Sequence, residues 1–205
     1  MPRLNLKKAA YLQRRLAGKV ITVDDFNKPI RYIGGVDVAY KRRMGIGVAT
    51  LLEYDSMKLV EYKHYITEVD VPYVPTFLAF REIPPMVGAI EKLDRKPDIM
   101  LVDAHGLVHP RGLGAASHIG VVLDIPTIGV AKSPLVGKVD EEGYIVYKGK
   151  RVGYKLGPKL YVSIGHRVSL ETAIEIVKNT LRNSIPEPTR LAHIYANKLK
   201  REIEN

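Results

Sequence analysis

Three β-forming segments joined by short turns restrict the fold of this chain more than any other feature of its sequence. Residues 31–40 (RYIGGVDVAY), 45–53 and 59–69 are rich in β-branched and aromatic side chains, and only a few turn-forming residues separate them. Neighbouring strands with such short connections pair antiparallel, as a meander. Inside the first strand, Gly34 and Gly35 indicate either a bulge or the close approach of another backbone.

After residue 70 the pattern changes to helices that alternate with continuous apolar runs. The runs are residues 99–103 (IMLVD) and 127–131 (TIGVA), with a helix predicted over 114–123 between them. Buried strands that are separated by helices run parallel. A meander followed by parallel strands and flanking helices is the order of an α/β mixed sheet of the ribonuclease H-like type. We expect residues 1–205 to form a single domain of this class.

The remaining elements are predicted from periodicity and from capping residues. Apolar residues at helical spacing predict a basic amphipathic helix over 5–17. We expect Pro84-Pro85 to divide the next helical stretch into two helices, over 77–83 and 86–94. The chain then continues with a hairpin over 144–154, a strand over 159–164, a helix capped by Ser169 and a last helix from Pro186 to about 203.

Composition narrows the classes of function. The chain carries 32 Lys and Arg against 22 Asp and Glu, a formal net charge of +10. A domain this basic usually binds a polyanion, and a basic surface without a nucleic-acid partner is the alternative. Absence of cysteine excludes disulfides, thiolate zinc sites and cysteine nucleophiles. The sequence has no apolar run that suits a membrane span or a signal peptide, so we expect a cytoplasmic protein without a membrane partner.

Acidic residues in unusual positions are the main chemical signal, since the sequence lacks P-loop, zinc-protease and nucleophile-elbow motifs. Asp37 lies in the middle of an apolar strand, and Asp103 ends a buried strand, where ligand sites of α/β sheets collect. Two neighbouring carboxylates disfavour each other's charge, and Mg²⁺ or Mn²⁺ relieves that conflict. Glu82 is the natural third oxygen donor. For each acid alone, a helix cap or a salt bridge is the alternative.

Residues 103–118 (DAHGLVHPRGLGAASH) concentrate polar groups in one loop and the start of one helix. They include His105, His109 and His118, together with Arg111. The glycines allow close backbone approach, and the helix N-terminus can receive a phosphate. Zinc is a weaker alternative, because glycine and proline oppose the helix that would align the first two histidines. A solvated surface loop is the other alternative.

Three further side chains are candidates for contact with nucleic acid or for catalysis. Tyr73 lies in a loop stiffened by Pro72 and Pro75, where an aromatic ring can wedge into a base stack; simple packing is its alternative. Lys132 follows a buried strand and can steady a phosphate or a leaving oxyanion, unless it is merely solvated. His193 is predicted to lie on the surface of the last helix.

Five long blocks follow one another between about residues 30 and 198: GGVDVAY, VPYVPTFLAFRE, VDAHGLVHPRGLGAASHIGV, IPTIGVAKSPL and PEPTRLAH. In this order they resemble the endonuclease V family. The resemblance implies a ribonuclease H-like fold and a Mg²⁺-dependent repair nuclease, with Mn²⁺ as a substitute. Such enzymes hydrolyse the second phosphodiester bond 3′ to a deoxyinosine, leaving 3′-hydroxyl and 5′-phosphate ends. The implied partner is deoxyinosine-containing DNA, with inosine-containing RNA as a further one, and no obligate protein partner.

Six residues of this chain match positions of the family's motifs that the resemblance implies are catalytic: Asp37, Glu82, Asp103, Lys132, His109 and His193. The resemblance implies that the three acids form the metal site and that the last histidine takes a fourth position around it. The lysine and the other histidine then support catalysis or contact phosphate.

The DNA contacts implied or suggested are Tyr73 as the wedge at the lesion, with Pro72, Pro75, Gly34, Gly35 and Arg111. One departure concerns the loop after the metal ligand. The family commonly has Asp-Gly-x-Gly where this chain has Asp103-Ala104-His105-Gly106, and Ala104 restricts the backbone there.

Two other functions stay open at this point. A structure-specific nuclease for junctions, flaps or inosine-containing RNA would keep the fold and the metal. A basic module that only coats nucleic acid would need none of the acids, and the position of Asp37 in an apolar strand argues against it. For either nuclease, Mg²⁺ would activate a water and polarise the phosphate, with a second ion as an assumption.

Overall fold

The computed structural model describes residues 4–203. These residues form five helices: α1 (Leu6–Ala17), α2 (Ala79–Ile90), α3 (Ala115–Leu123), α4 (Leu170–Asn179) and α5 (Glu187–Glu202). They also form eleven strands: β1 (Tyr32–Lys41), β2 (Met44–Glu53), β3 (Leu59–Glu68), β4 (Ile99–Val102), β5 (Thr127–Ala131), β6 (Lys138–Val139), β7 (Tyr144–Tyr147), β8 (Lys150–Gly157), β9 (Leu160–His166), β10 (Leu181–Arg182) and β11 (Ile185–Pro186).

A nine-stranded mixed sheet, in the order β3-β2-β1-β4-β5-β9-β8-β7-β6, organises the described residues. Strands β1, β2 and β3 pair antiparallel, as the predicted meander. Strand β4 lies parallel between β1 and β5, as the helix-separated apolar runs indicated. The mixed α/β sheet predicted from the order of elements is therefore confirmed.

Helices cover both faces of the centre of this sheet. On one face, α2 and α3 pack on β1 and β4 through a cluster that includes Val36, Met86, Met100 and Ile119. On the other face, α4 joins a cluster that includes Ile33, and Ala192 of α5 packs against the end of β1. Side chains alternate between the two faces along a strand. Residue 37 therefore faces α5, and its two valine neighbours face α2 and α3.

The glycine pair of β1 allows α5 to approach the sheet closely. A Cβ at Gly35 would lie 2.2 Å from the backbone carbon of Pro188, and Thr50 of β2 donates a hydrogen bond to the Pro188 carbonyl at 2.9 Å. The β1–β2 register continues through Gly34 and Gly35 without a shift. Of the two structures predicted for the pair, the close backbone approach is confirmed and the bulge is wrong.

The prediction of two helices divided by Pro84-Pro85 is wrong, because α2 runs through both prolines from Ala79 to Ile90. Proline lacks the N–H that would bind the carbonyl four residues earlier. For Pro85 that acceptor is the carbonyl of Arg81, and the hydroxyl of Tyr40 donates to it at 3.1 Å. A contact from β1 thus replaces one helical hydrogen bond.

The other predicted helices and strands are confirmed within a few residues. The Ser169 side chain caps α4 by accepting a hydrogen bond from the Thr172 N–H. Strand β6 and the β10–β11 hairpin were not predicted from the sequence. Within residues 4–203, no helix is both long and apolar enough to cross a membrane. The cytoplasmic location stays a prediction.

Candidate active site

Asp37, Asp103 and His193 meet at one edge of the central strands. Each offers one ligand atom, and the three atoms lie within 4.8 Å of one another. We call these three residues the acidic cluster. The Nδ1–H of His193 donates to the Asp37 carboxylate at 2.7 Å, across 156 residues of sequence.

Strand pairing and helix packing bring the acidic cluster together. The N–H of Asp103 bonds to the carbonyl of Val36 at 3.1 Å, so the end of β4 places this acid beside Asp37. Helix α5 crosses the face of β1 to which Asp37 points and carries His193 to it. Asn197, one turn further on, donates to the other nitrogen of the histidine ring at 3.1 Å.

The charges of this site are unfavourable in the protein alone. Burial and the nearby charge of Asp103 raise the pKa of Asp37, although its hydrogen bonds with His193 and the Val38 N–H oppose the rise. Burial and the charges of both aspartates raise the pKa of Glu82 from 4.5 to about 8. Glu82 is outside the group of three ligand atoms, yet the charges of both aspartates contribute to its raised pKa.

The donor set fits a hard divalent cation. Two carboxylates and an imidazole converge, and burial together with the charge of Asp103 raises the pKa of Asp37. Oxygen ligands suit Mg²⁺ and Mn²⁺, and the added positive charge would favour both carboxylates in their ionised form. Lys132 supplies one local cation: its Nζ lies 3.4 Å from Asp103 Oδ2, and its side chain is 72% exposed. It is therefore accessible to an anionic substrate.

The loop between β3 and α2 presents Tyr73 to solvent, with the side chain 69% exposed. Pro72 and Pro75 beside it are also exposed. The alternative of simple packing in the core is therefore wrong for this tyrosine.

Two buried donors, Gln13 and His109, and the partly buried Arg111 hold the end of this loop at Thr76. Its carbonyl accepts hydrogen bonds from Gln13 Nε2 at 3.1 Å, His109 Nε2 at 2.9 Å and Arg111 Nη2 at 2.7 Å. Arg111 also donates to Gln13 Oε1 at 2.6 Å and to the Thr76 hydroxyl. Thr76 has φ +67, which is uncommon for a β-branched residue. We call Gln13, His109, Arg111 and Thr76 the loop clamp.

The start of the same loop is held by a second contact. Arg81 of α2 donates from Nη1 to the carbonyl of Val71 at 2.7 Å. Its guanidinium lies 4.2 Å from the centre of the Tyr40 ring. The segment that carries Tyr73 is thus fixed at both ends by side chains that lie outside it.

His109, predicted to be catalytic, and Arg111, predicted to contact DNA, therefore both lie in the loop clamp. Burial lowers the pKa of His109 to about 4, so its ring is neutral at pH 7. Its Nδ1 accepts a hydrogen bond from the Arg111 N–H, which leaves Nε2 as the donor to Thr76. Gly34 and Gly35 are buried within the sheet. The structure brings none of these four residues into the acidic cluster.

Two side chains that hold the Tyr73 loop, Gln13 and Arg81, were not identified from the sequence. Gln13 is fully buried although it lies on a basic amphipathic helix. A polar residue on the apolar side of such a helix is a weak signal, because it does not identify the partner. Arg81 follows the loop directly, and an arginine in the first turn of a helix gives no local sign that it binds a carbonyl ten residues earlier.

Comparison with known proteins decides the family. The endonuclease V family model matches residues 14–194. The chain belongs to the endonuclease V family. An endonuclease V from Dictyoglomus turgidum is 45% identical, with 94% of this chain and 90% of the relative covered.

Solved endonuclease V structures also share the fold. The enzyme from Streptomyces avermitilis superposes with a TM-score of 0.87 at 33% identity, covering 98% of this chain and 95% of that one. A second structure is endonuclease V from Ciona intestinalis in complex with a 24mer DNA containing an inosine followed by a ribo-adenosine. It superposes with a TM-score of 0.87 at 31% identity, covering 97% of this chain and 99% of that one. The resemblance, the ribonuclease H-like fold and the class of enzyme are confirmed: the protein is a nuclease of the endonuclease V family.

Proposed function

We propose that this enzyme repairs deoxyinosine in DNA by hydrolysing the second phosphodiester bond 3′ to the lesion, with Mg²⁺ as its cofactor. The acidic cluster carries the proposal, because two adjacent carboxylates whose charges conflict are placed where a cation would relieve them. The endonuclease V of Ciona intestinalis, which was solved with inosine-containing DNA, supports the choice of substrate.

Asp37, Asp103 and His193 would hold the cation, with Glu82 completing the acidic surroundings. A divalent cation bound there would supply Lewis-acid polarisation of the scissile phosphate and activation of a water. In the metal-free protein the Nδ1–H of His193 orients the Asp37 carboxylate. To join the ligands of the cation, this nitrogen would give up its proton and its hydrogen bond to Asp37. The Lys132 ammonium, close to Asp103 and exposed, would stabilise the negative charge of the leaving oxygen.

Tyr73 would act at the lesion. An exposed ring on a loop that is held at both ends can enter a base stack without the entropy cost of ordering the loop. Hypoxanthine formed by deamination of adenine is mispaired with the opposite thymine, so extruding it costs less than extruding a correctly paired base. The formal net charge of +10 adds affinity for the phosphate backbone that does not depend on sequence and weakens with salt.

Cleavage of an end-labelled duplex with one deoxyinosine tests the proposal. Wild type, Asp103→Ala and Asp55→Ala are compared with Mg²⁺, the last being a control in an exposed turn. We expect one product, cut one nucleotide beyond the inosine, from wild type and the control, and none from Asp103→Ala. Cutting that ignores inosine, or that persists in Asp103→Ala, would contradict the proposal.

A matched panel tests the alternative substrates. The Ciona intestinalis complex contains a ribo-adenosine after the inosine, which makes inosine-containing RNA the second candidate. The same inosine is placed in DNA, in RNA and in DNA with one ribonucleotide after it, beside a flap and a junction without inosine. Faster cleavage of the RNA than of the DNA would favour the second candidate. Preference for the flap or junction would contradict both.

A further inference from the structure

A cavity of about 740 Å³ opens beside the acidic cluster. Asp103, Lys132 and His193 form part of its wall, so an occupant would touch the side chains that we assign to the scissile phosphate. The rest of the wall comes mainly from the β8–β9 turn and the β10–β11 hairpin. Its apolar members include Leu156, Pro158, Leu160, Leu181, Ile185 and Pro186.

The wall combines an apolar floor with cations. Lys159 and Arg190 line it together with Lys132. Arg190 donates two hydrogen bonds to Glu187, at 2.6 and 2.7 Å, so part of its charge is neutralised. Lys159 is exposed in the turn between β8 and β9. Three neutral polar residues, Asn183, Ser184 and Thr189, complete a wall that is mostly apolar. Such a wall suits a flat, largely apolar body that is joined to phosphate groups.

Size and position agree with a nucleotide. The volume lies within the roughly 300–1,000 Å³ range of pockets that enclose a drug-sized ligand, and a nucleotide is of that size. A strand whose phosphate lies at the acidic cluster has its neighbouring nucleotide within reach of the cavity.

We propose that the cavity holds the sugar and base of a nucleotide next to the cleaved bond in the substrate strand. This subsite rests on the proposed function. The apolar floor contacts the faces of the base and sugar, while Lys132 and Lys159 contact the adjoining phosphates. Packing against leucine, isoleucine and proline does not distinguish one base from another. The subsite therefore adds affinity and fixes the strand, but it adds no sequence preference.

Ile185→Glu tests the subsite with little risk to folding, because Ile185 is 49% exposed on the β10–β11 hairpin. Val122→Glu is the matched control: Val122 is 53% exposed on α3 and is outside the cavity wall. The substrates are inosine duplexes in which one nucleotide at a time, on either side of the cut, is replaced by an abasic analogue.

We expect one abasic position near the cut to raise the KM of wild type about tenfold, the effect of losing one packed base. Ile185→Glu should raise the KM for the intact duplex by a similar factor and should be insensitive to that abasic position. Val122→Glu should behave as wild type, and exchanging the four standard bases at that position should leave KM unchanged.

Independent effects of Ile185→Glu and the abasic position would overturn the subsite, as would a wild type that tolerates every abasic position near the cut. An unchanged KM in Ile185→Glu would also overturn it and would leave the cavity to a small molecule. In each of these cases the wild type still cuts beyond inosine, so the proposed function stands. Failure of the wild type to cut any inosine duplex would contradict the proposed function, and the subsite with it.

Discussion

The acidic cluster and the loop clamp are both assembled from distant parts of the chain, but their polar groups are satisfied to opposite degrees. In the loop clamp, one carbonyl accepts three hydrogen bonds, and the neutral His109 uses both ring nitrogens. In the acidic cluster, the pKa of Asp37 is raised by burial and by a second carboxylate. The loop clamp finds its hydrogen-bond partners within the protein, whereas the carboxylates of the acidic cluster would be relieved by a bound cation.

This difference separates two uses of buried polar residues. A satisfied network fixes geometry and adds stability, whereas a conflict between like charges lowers stability and is retained where binding removes it. We therefore expect substitutions in the acidic cluster to lower activity without lowering stability. Substitutions in the loop clamp should lower both.

Asp37→Asn should have the largest effect on activity and should leave stability intact. The amide has nearly the same shape but no charge, so cleavage of the inosine duplex should fall by at least ~1,000-fold through loss of the metal site. Removing the charge should leave the midpoint of thermal unfolding in EDTA unchanged or raise it, because burial and Asp103 disfavour that charge.

Asp98→Asn is the contrasting control. The Asp98 carboxylate accepts hydrogen bonds from the N–H groups of Arg31 and Tyr32 at 2.8 and 2.9 Å, away from the acidic cluster. It should lose about 1 kcal/mol of stability and keep wild-type cleavage. A marked loss of stability in Asp37→Asn would show that this carboxylate is structural.

Glu82→Gln should change the dependence of stability on pH. A folded-state pKa of about 8, against 4.5 unfolded, means that the folded protein binds the proton more tightly. Without divalent metal, this contribution to the free energy of unfolding is present below pH 4.5 and is lost as the pH rises towards 8. The loss is at most ~5 kcal/mol for a shift of this size.

Urea unfolding in EDTA from pH 5 to pH 9 measures that slope. Wild type should lose stability over this range, and Glu82→Gln should lose less, with Asp37 accounting for the remainder. Added Mg²⁺ should flatten the wild-type curve. Parallel curves for the two proteins would contradict the electrostatic conflict at Glu82.

The acids could be found from the sequence because each is out of place locally. Asp37 interrupts an apolar strand and Asp103 ends one, so the cost of burial is visible in ten residues of sequence. The contact of Asp37 with His193 was not visible from local pattern, because it depends on how α5 crosses β1 over 156 residues. Only the family resemblance placed this histidine at the metal site. Seen alone, that histidine has the pattern of an ordinary surface residue, and its side chain is indeed 54% exposed.

The loop clamp could not be predicted for the same physical reason. The hydrogen bonds of Gln13 reach Thr76 and Arg111, 63 and 98 residues away, and local patterns carry no information at that distance. The mixed sheet was more accessible, because alternation and apolar runs are local and topology follows from their order.

Gln13→Leu should lower the free energy of unfolding by about 2 kcal/mol, because the charged Arg111 Nε loses its acceptor in a partly buried position. We expect cleavage efficiency to fall about tenfold through a higher KM, because the loop no longer presents Tyr73 in one position. Gln13→Glu keeps an acceptor for the arginine and loses only the donor to Thr76, so it should be intermediate.

A double-substitution cycle with Tyr73→Ala distinguishes positioning from general destabilisation. If the loop clamp acts through the tyrosine, Tyr73→Ala should cost less in the Gln13→Leu background than in wild type. Independent effects on KM would show that Gln13 supports the fold alone.

Tyr40→Phe should have the smallest effect, and it tests why α2 continues through two prolines. The phenolic O–H donates to the Arg81 carbonyl, which has no helical donor because residue 85 is proline. Loss of this hydrogen bond should lower the free energy of unfolding by about 1 kcal/mol, which corresponds to a fall of roughly 2–4 °C in the unfolding midpoint. Pro85→Ala restores the missing N–H, so Tyr40→Phe should cost almost nothing in that background. An equal cost in both backgrounds would mean that the tyrosine acts through its contact with the Arg81 guanidinium, which phenylalanine retains in part.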